Sequence, residues 1–367
     1  MSSPDLTVAQ PQGAPDDAGA QADALRNARG TSPNQRAWAR FRRNRLGHAS
    51  LWLFIALLLV TTLAELVSND LPYVARIDGQ LIFPVIDNPS EQSLGGDFIT
   101  PTDWKDPFIA QLLAQPGNWS VGAPNPHSAT STDYFAKLAP PARPSSENWL
   151  GTDSQGRDMV ARLVYGFRVS IWFALALTIT GTLIGVAMGA LMGYFGGRID
   201  LTLQRLIEIW GAIPELYLLI IFASIFEPSL LLLLLLLSLW GWMGLSDYVR
   251  AEFLRNRNLE FVKAARALGL SNSQIIWRHV LPNSMTPVIT FLPFRMSAAI
   301  LALTSLDFLG LGVPASVPSL GQLLQQGKSN LDAWWIIVPT FVLLTVTMLL
   351  LTFIGDALRD AFDTRKS

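Results

Sequence analysis

Residues 261–283 read "FVKAARALGLSNSQIIWRHVLPN", a basic, helix-forming stretch set between two strongly hydrophobic segments, 229–248 and 285–309. Phe261, Val262, Ala265 and Leu268 recur at i, i+1, i+4 and i+7 and predict one apolar helix face, with Lys263 and Arg266 pointing elsewhere. Gly269 suits the left-handed residue that closes such a helix. Ser271 and Gln274 form an S-x-x-Q capping box opening a second helix, expected to stop before Pro282. The stretch therefore predicts a rigid helical elbow outside the hydrocarbon. Nothing else in the chain is expected to cover its apolar face, which would dock in a groove of a soluble partner or on anionic lipid.

The flanking segments decide the fold class. Of the 367 residues 50% are hydrophobic and 15% charged, with a mean hydropathy of +0.33, a balance foreign to a water-soluble domain. A hydrocarbon core about 30 Å thick takes roughly 20 apolar residues of helix. Six segments are candidates: 49–67, 169–195, 212–226, 229–248, 285–309 and 334–355, the third being the shortest. The chain is read as an all-α polytopic membrane protein. It has no cysteine, which excludes disulfides, thiolate metal sites and a cysteine nucleophile, and His48, His127 and His279 are too dispersed for a metal centre. No catalytic residue, metal site or nucleic-acid partner is expected. The first span follows 48 hydrophilic residues without a small-residue cleavage site and is read as a retained anchor.

Positive side chains mark the cytoplasmic side of a membrane protein. With the N-terminus inside, most of them fall there: seven before the first span, Arg198 and Arg205 after the second, six from Arg250 to Arg278 after the fourth, and Arg359, Arg365 and Lys366 in the tail. Residues 1–33, rich in Ala, Gln, Asp and Pro, are expected to be a disordered cytoplasmic segment. Residues 34–67 hold a basic segment and the first span. Residues 68–167 form a proline-rich external insertion. Its Trp104, Trp119 and Trp149 and strand-like runs such as "QLIFPVI" predict a small compact loop domain, either passive or docking an external partner. The membrane core is 168–355, including the loop 250–283, and 356–367 is a cytoplasmic tail.

Gly181, Gly185, Gly189 and Gly193 recur every four residues and expose a smooth face for close helix approach, as packing or as a sliding surface. Ionisable groups at membrane depth are costly, which singles out Arg295 in the fifth span, Asp307 near its outer end, and Glu215 after Pro214. Arg295 is expected to face the pathway or a buried partner, a peptide carboxylate or backbone being one target, and Asp307 to meet water. Snorkelling or structural ion pairs would account for each without a transport role. "GQLLQQGKS" at 321–329 looks like a phosphate loop but lacks the glycine that G-x4-G-K-[ST] requires at 322.

The elbow resembles the cytoplasmic E-A-A-x3-G-x9-I-x-L-P loop of ABC-importer permeases at Ala264, Ala265, Gly269, Leu281 and Pro282. Lys263 replaces the glutamate and His279 the isoleucine, as is frequent in the dipeptide and oligopeptide branch. "WLGTDSQGRDMVARLVYGFRVS" (149–170) is similar to that branch's G-T-D-x-x-G-R-D motif at Gly151, Thr152, Asp153, Gly156, Arg157 and Asp158. "TSLDFLGLGVPASVPSLGQLL" (304–324) is similar to its S-x-x-F-L-G-L-G segment at Ser305, Phe308, Leu309, Gly310, Leu311 and Gly312. With the long insertion, residues 36–364 resemble most the Yej-type permeases of oligopeptide and microcin C import.

The resemblance implies a type I ABC-importer permease fold: six transmembrane helices, N-in and C-in, in the bacterial inner membrane. It implies a homologous second permease, two ABC ATPase domains or subunits that hold ATP and Mg, an extracytoplasmic solute-binding protein and a peptide substrate. The chain itself would bind no cofactor. Phe261, Val262, Lys263, Ala264, Ala265, Leu268, Gly269, Leu281 and Pro282 would form the ATPase-coupling loop, with Ala264, Ala265 and Gly269 as close-approach positions. The alternative is a stand-alone secondary transporter or channel. The lack of a visible internal repeat and the few intramembrane charges count against it.

Overall fold

The computed structural model describes residues 33–132 and 139–362. The expected disordered segment 1–33 lies outside the described residues except for Pro33, and so do Arg365 and Lys366 of the tail. Helices α1 (Pro33–Arg43) and α2 (Arg45–Thr62) meet at Asn44, whose side chain accepts the Gly47 N–H at 3.0 Å and so restarts the helix. In the insertion, β1 (Val74–Ile77) and β2 (Gln80–Ile82) form a hairpin closed by Asp78 and Gly79, both at positive φ. The stretch "QLIFPVI" is strand only over its first three residues, because Pro84 has no N–H to continue the ladder. Helix α3 (Pro107–Leu113) sets Ile109 and Leu112 against Ile77 in a small separate core. Strand β3 (Trp119–Val121) adds to β1, giving the antiparallel order β2-β1-β3.

Helix α4 (Met159–Phe195) starts ten residues before the apolar segment read from the sequence. At 1.5 Å per residue it is about 55 Å long, so its first turns project beyond a hydrocarbon core of about 30 Å. Helices α5 (Gly197–Gly211) and α6 (Glu215–Ile225) are bent by 62° where Pro214 breaks the ladder. The third span is therefore not the separate segment 212–226. Eleven residues of α6 reach only about 16 Å, and a crossing there requires the bent pair. Helices α7 (Leu230–Ser238) and α8 (Met243–Asn256) make one crossing, interrupted at 239–242. Arg250 Nη2 donates to Asp200 Oδ2 at 2.7 Å and fastens α8 to α5. Then come α9 (Glu260–Ala267), α10 (Thr286–Phe308), α11 (Leu320–Ser329) and α12 (Trp334–Phe362). The described residues thus hold five helices long and apolar enough to cross a membrane, or six with the bent pair. Residues 321–329 lie within helix α11, so no phosphate loop forms there.

The main core joins α4, α7, α10, α11 and α12 through side chains such as Phe167, Ile171, Ile300, Leu303, Leu320 and Ile336. At one end of the bundle the chain's described ends meet. Phe41 of α1 packs on Ala357 and Ala361 of α12, and the Arg40 guanidinium donates to the Ala361 carbonyl at 3.3 Å. At the other end Tyr165 Oη donates to the Ser68 carbonyl at 2.9 Å, and Trp335 Nε1 to the Thr152 carbonyl at 3.2 Å. These bonds tie the insertion to the first turns of α4 and α12.

Candidate functional site

The elbow begins where α8 ends, at the same end of the bundle as α1 and the end of α12. Leu270 N–H reaches back to the Ala265 carbonyl at 3.2 Å and Gly269 N–H to the Arg266 carbonyl at 3.0 Å, while Gly269 takes a φ of +79°. This is a glycine-terminated helix end. Ser271 and Gln274 close the reciprocal capping box. The second limb does not stop before Pro282. A π-turn spans Ile276–Val280 and one further helical turn spans Leu281–Asn283. Widening to a π-turn spares the chain the clash and lost hydrogen bond that proline would cost inside an α-helix.

The apolar face of α9 is divided. Val262 is 0% exposed and Ala265 5%, packed with Val249, Phe253, Ile275 and Val280, so this chain buries the inner half itself. Phe261 is 40% exposed and Leu268 80%, and Ala264 and Gly269 lie on the same outer surface. At 3.6 residues per turn, positions 261, 264 and 268 fall within about 60° of one another, beside the buried pair. Ala265 is thus a contact within the chain and not an approach position. Lys263 pairs with Glu260 at 2.9 Å on the solvent side, Leu281 is half-buried and Pro282 exposed. Tyr194 Oη donates to Asn272 Oδ1 at 2.8 Å and Asn256 Nδ2 to Ser284 Oγ at 2.8 Å, which latches the elbow to α4 and α8.

The motif before α4 is a buried electrostatic knot. Arg157 donates to Asp153 Oδ2 through Nε (2.8 Å) and Nη2 (2.6 Å), and through Nη1 to the Ala315 carbonyl at 3.2 Å. Asp153 Oδ1 takes the N–H groups of Gln155 and Arg157 at 2.8 and 3.0 Å. Asp158 caps α4 through Ala161 N–H (2.9 Å) and accepts from Asn125 (2.8 Å) and Asn148 (3.0 Å). Thr152 Oγ1 accepts the Ala142 N–H at 2.8 Å. Gly151 and Gly156 supply turns at φ +73° and +79°. The insertion, α4 and the chain beyond α10 thus share one set of buried polar contacts.

Asp307 is 3% exposed and does not meet water as expected. It accepts the Val313 N–H at 2.8 Å and the Ser319 hydroxyl, because Gly310 at φ +76° turns the chain back over it. The absence of a Cβ at Gly312 leaves room for its carboxylate. Gly181, Gly185, Gly189 and Gly193 all face the α7–α8 crossing. A Cβ would come 2.9 Å from the Trp242 carbonyl at Gly185, 2.6 Å from that of Ser246 at Gly189 and 2.6 Å from that of Arg250 at Gly193. Arg295 Nη2 donates to the Gly241 carbonyl at 2.9 Å, in the break between α7 and α8. Glu215 opens α6, beside the same break.

Residues 185–367 match the family described as binding-protein-dependent transport system inner membrane component. Residues 32–86 match the N-terminal TM domain of oligopeptide transport permease C. The inner membrane ABC transporter permease protein YejE of Escherichia coli (strain K12) is 47% identical over 334 residues, 91% of this chain and 98% of that protein. The chain belongs to the binding-protein-dependent ABC-transporter permeases. The permease is also 44% identical over 357 residues to a peptidoglycan transport system permease protein YejE of Agrobacterium fabrum, covering 91% and 93% of the two chains. It is 34% identical over 244 residues to the dipeptide transport system permease protein DppC of Bacillus subtilis, covering 66% and 75%. It is a multi-pass inner-membrane protein and, like its family, a non-catalytic subunit.

Several residues that build these sites in the permease carry no sequence signal. Arg162, fully buried, bonds to the Ala129 carbonyl and to Gln322, both at 3.3 Å, linking the insertion to α11. Asn125, Asn148 and Ser319 complete the Asp158 and Asp307 contacts from positions distant in the chain. The hydrophobic break at 239–242 that receives Arg295 is read in the sequence as uninterrupted helix.

Proposed function

We propose that this permease is the membrane-spanning subunit of an ATP-driven importer of peptides, delivered by an extracytoplasmic solute-binding protein. The substrate class follows the relatives, whose names specify dipeptide and peptidoglycan transport. It pairs with a homologous second permease, and two ABC ATPase domains or subunits hold ATP and Mg and supply the work. Six crossings with both termini inside suit the packing of α1 on the end of α12, because ends on one side demand an even number. The insertion then lies outside, where a binding protein docks.

The observation that carries the reading is the outward stripe Phe261, Ala264 and Leu268 on an elbow latched to α4 and α8. An ATPase groove that grips this stripe moves the helices behind it, since a stiff connection passes displacement on. The chain has no cysteine, so Leu268→Cys introduces a single thiol. Crosslinking from that thiol to the ATPase subunit, together with ATP-dependent uptake of a defined peptide library in a deletion strain carrying the wild-type gene, is the expected result. A thiol that crosslinks only to lipid, or uptake that persists without the ATPase, overturns it.

A further inference from the structure

A cavity of about 280 Å³ opens among α4, α6, α10 and the break between α7 and α8. Leucine, alanine and glycine make most of its wall, and its polar side chains are Thr178, Glu215, Trp240 and Arg295. Arg295 is held across the break on the Gly241 carbonyl rather than on a carboxylate, with Nη2 filling the space at Gly181 where a Cβ would stand 2.5 Å away. Trp240 is fixed by stacking on Trp210 at 5.6 Å between ring centroids. Three of these lining residues each carry a buried atom with no hydrogen-bond partner among the described residues: Arg295 Nε, Trp240 Nε1 and Thr178 Oγ1. Buried polar atoms are almost always paired, and leaving them unpaired is costly. All three can donate, and one belongs to a cation. Their common complement is an oxygen anion. Glu215 borders the same space and disfavours a simple anion, so the fitting ligand carries both signs, as a zwitterionic peptide does.

We propose that this cavity reads the free α-carboxylate of a peptide in transit, with Arg295, Trp240 and Thr178 as its donors. The assignment rests on the reading of the chain as a peptide permease and adds a specificity step inside the membrane.

The test reconstitutes the complete transporter in proteoliposomes. It compares ATP-driven uptake of one peptide as the free acid and as the C-terminal amide, each normalised to its affinity for the binding protein alone. Wild type should prefer the acid about tenfold, the worth of a charge-assisted hydrogen bond. Arg295→Gln should abolish that preference and Arg295→Lys should keep part of it. Trp240→Phe retains the ring stack and removes one donor. It should narrow the ratio about threefold, the worth of a neutral hydrogen bond, and it carries the test where Arg295→Gln fails to assemble. Equal ratios in wild type and the variants overturn the carboxylate site while leaving peptide transport intact. Failure of wild type to import either form overturns both readings.

Discussion

Tyr194 and Asn272 are joined by a 2.8 Å hydrogen bond that ties the last turn of α4 to the second limb of the elbow. The bond crosses from a membrane helix to the segment proposed to be gripped by the ATPase, so it lies on the path that displacement must take. Tyr194→Phe keeps the ring, which is buried against the elbow core, and removes only the hydroxyl. The stability loss should be about 1 kcal/mol. Transport should fall several-fold while ATP hydrolysis by the assembled complex persists, a split measured as peptides imported per ATP. An unchanged ratio would show that the latch carries no motion.

Gly269 poses a different kind of constraint. A Cβ there meets nothing within 4 Å among the described residues, yet its φ is +79°. Gly269→Ala should therefore act through backbone strain, at about 1–2 kcal/mol, and Gly269→Asn should be milder because asparagine tolerates the left-handed region. The prediction is graded uptake, glycine above asparagine above alanine, at equal membrane levels. A bulky side chain that impaired ATPase pull-down far beyond this series would instead indicate a close approach by the partner.

The buried charges before α4 should behave as a unit. Asp153→Asn leaves Arg157 and Arg162 without their shared carboxylate, since both guanidinium groups approach Asp153 Oδ2, at 2.6 and 3.9 Å. Breaking a buried pair by removing one partner costs about 3–5 kcal/mol. Asp153→Asn should lower the thermal midpoint of the purified permease markedly. The double variant Asp153→Leu with Arg157→Met should recover part of the loss. A single variant as stable as wild type would mean that solvent reaches these groups.

How much of this was legible in the sequence depends on range. Gly269, Ser271 and Gln274 announce the corner because caps are local chemistry. Hydropathy reads only the part of α4 in lipid and so understates its length, because its first turns carry Arg162 and Arg168. The division of the α9 face was hidden for a related reason. Helical spacing gives the angle of Val262 and Phe261 but not which one the bundle covers. Asp307 looked solvent-facing because its partners, Val313 and Ser319, return to it only after a glycine turn. The meeting of Arg295 with residues 240 and 241 needed a helix break that an unbroken apolar run does not signal.

The sheet of the insertion, residues 74–121, can be removed without touching the knot. Val74 pairs with Val121 at the base of the sheet and the Tyr73 N–H bonds the Val121 carbonyl at 2.8 Å, so residues 73 and 122 lie close enough for a short glycine-serine linker. Replacing 74–121 by such a linker keeps Asn125, Ala129, Ala142 and Asn148, which hold Asp158, Arg162 and Thr152. The shortened permease should assemble with its ATPase normally. Uptake through the binding protein should fall, with the loss appearing as a higher concentration of loaded binding protein at half-maximal rate. Uptake identical to wild type at all concentrations would make the sheet a passive elaboration.

The glycine stripe offers the sharpest test of packing against motion. Apolar transfer from water gives little drive between helices in lipid, so close approach of backbones has to supply the contact. At Gly189 a Cβ would lie 2.6 Å from the Ser246 carbonyl and 2.7 Å from the Val249 Cβ, and neither can move without displacing α8. Gly189→Ala should cost about 1–3 kcal/mol through overpacking. Val249→Gly removes the second of these contacts, and the double variant should recover part of the stability relative to the sum of the singles, a coupling read from thermal midpoints. If the stripe only packs, transport recovers together with stability. If α4 slides along α8 during the cycle, the double variant regains its midpoint but remains slow, because a surface fitted in one position catches in the next.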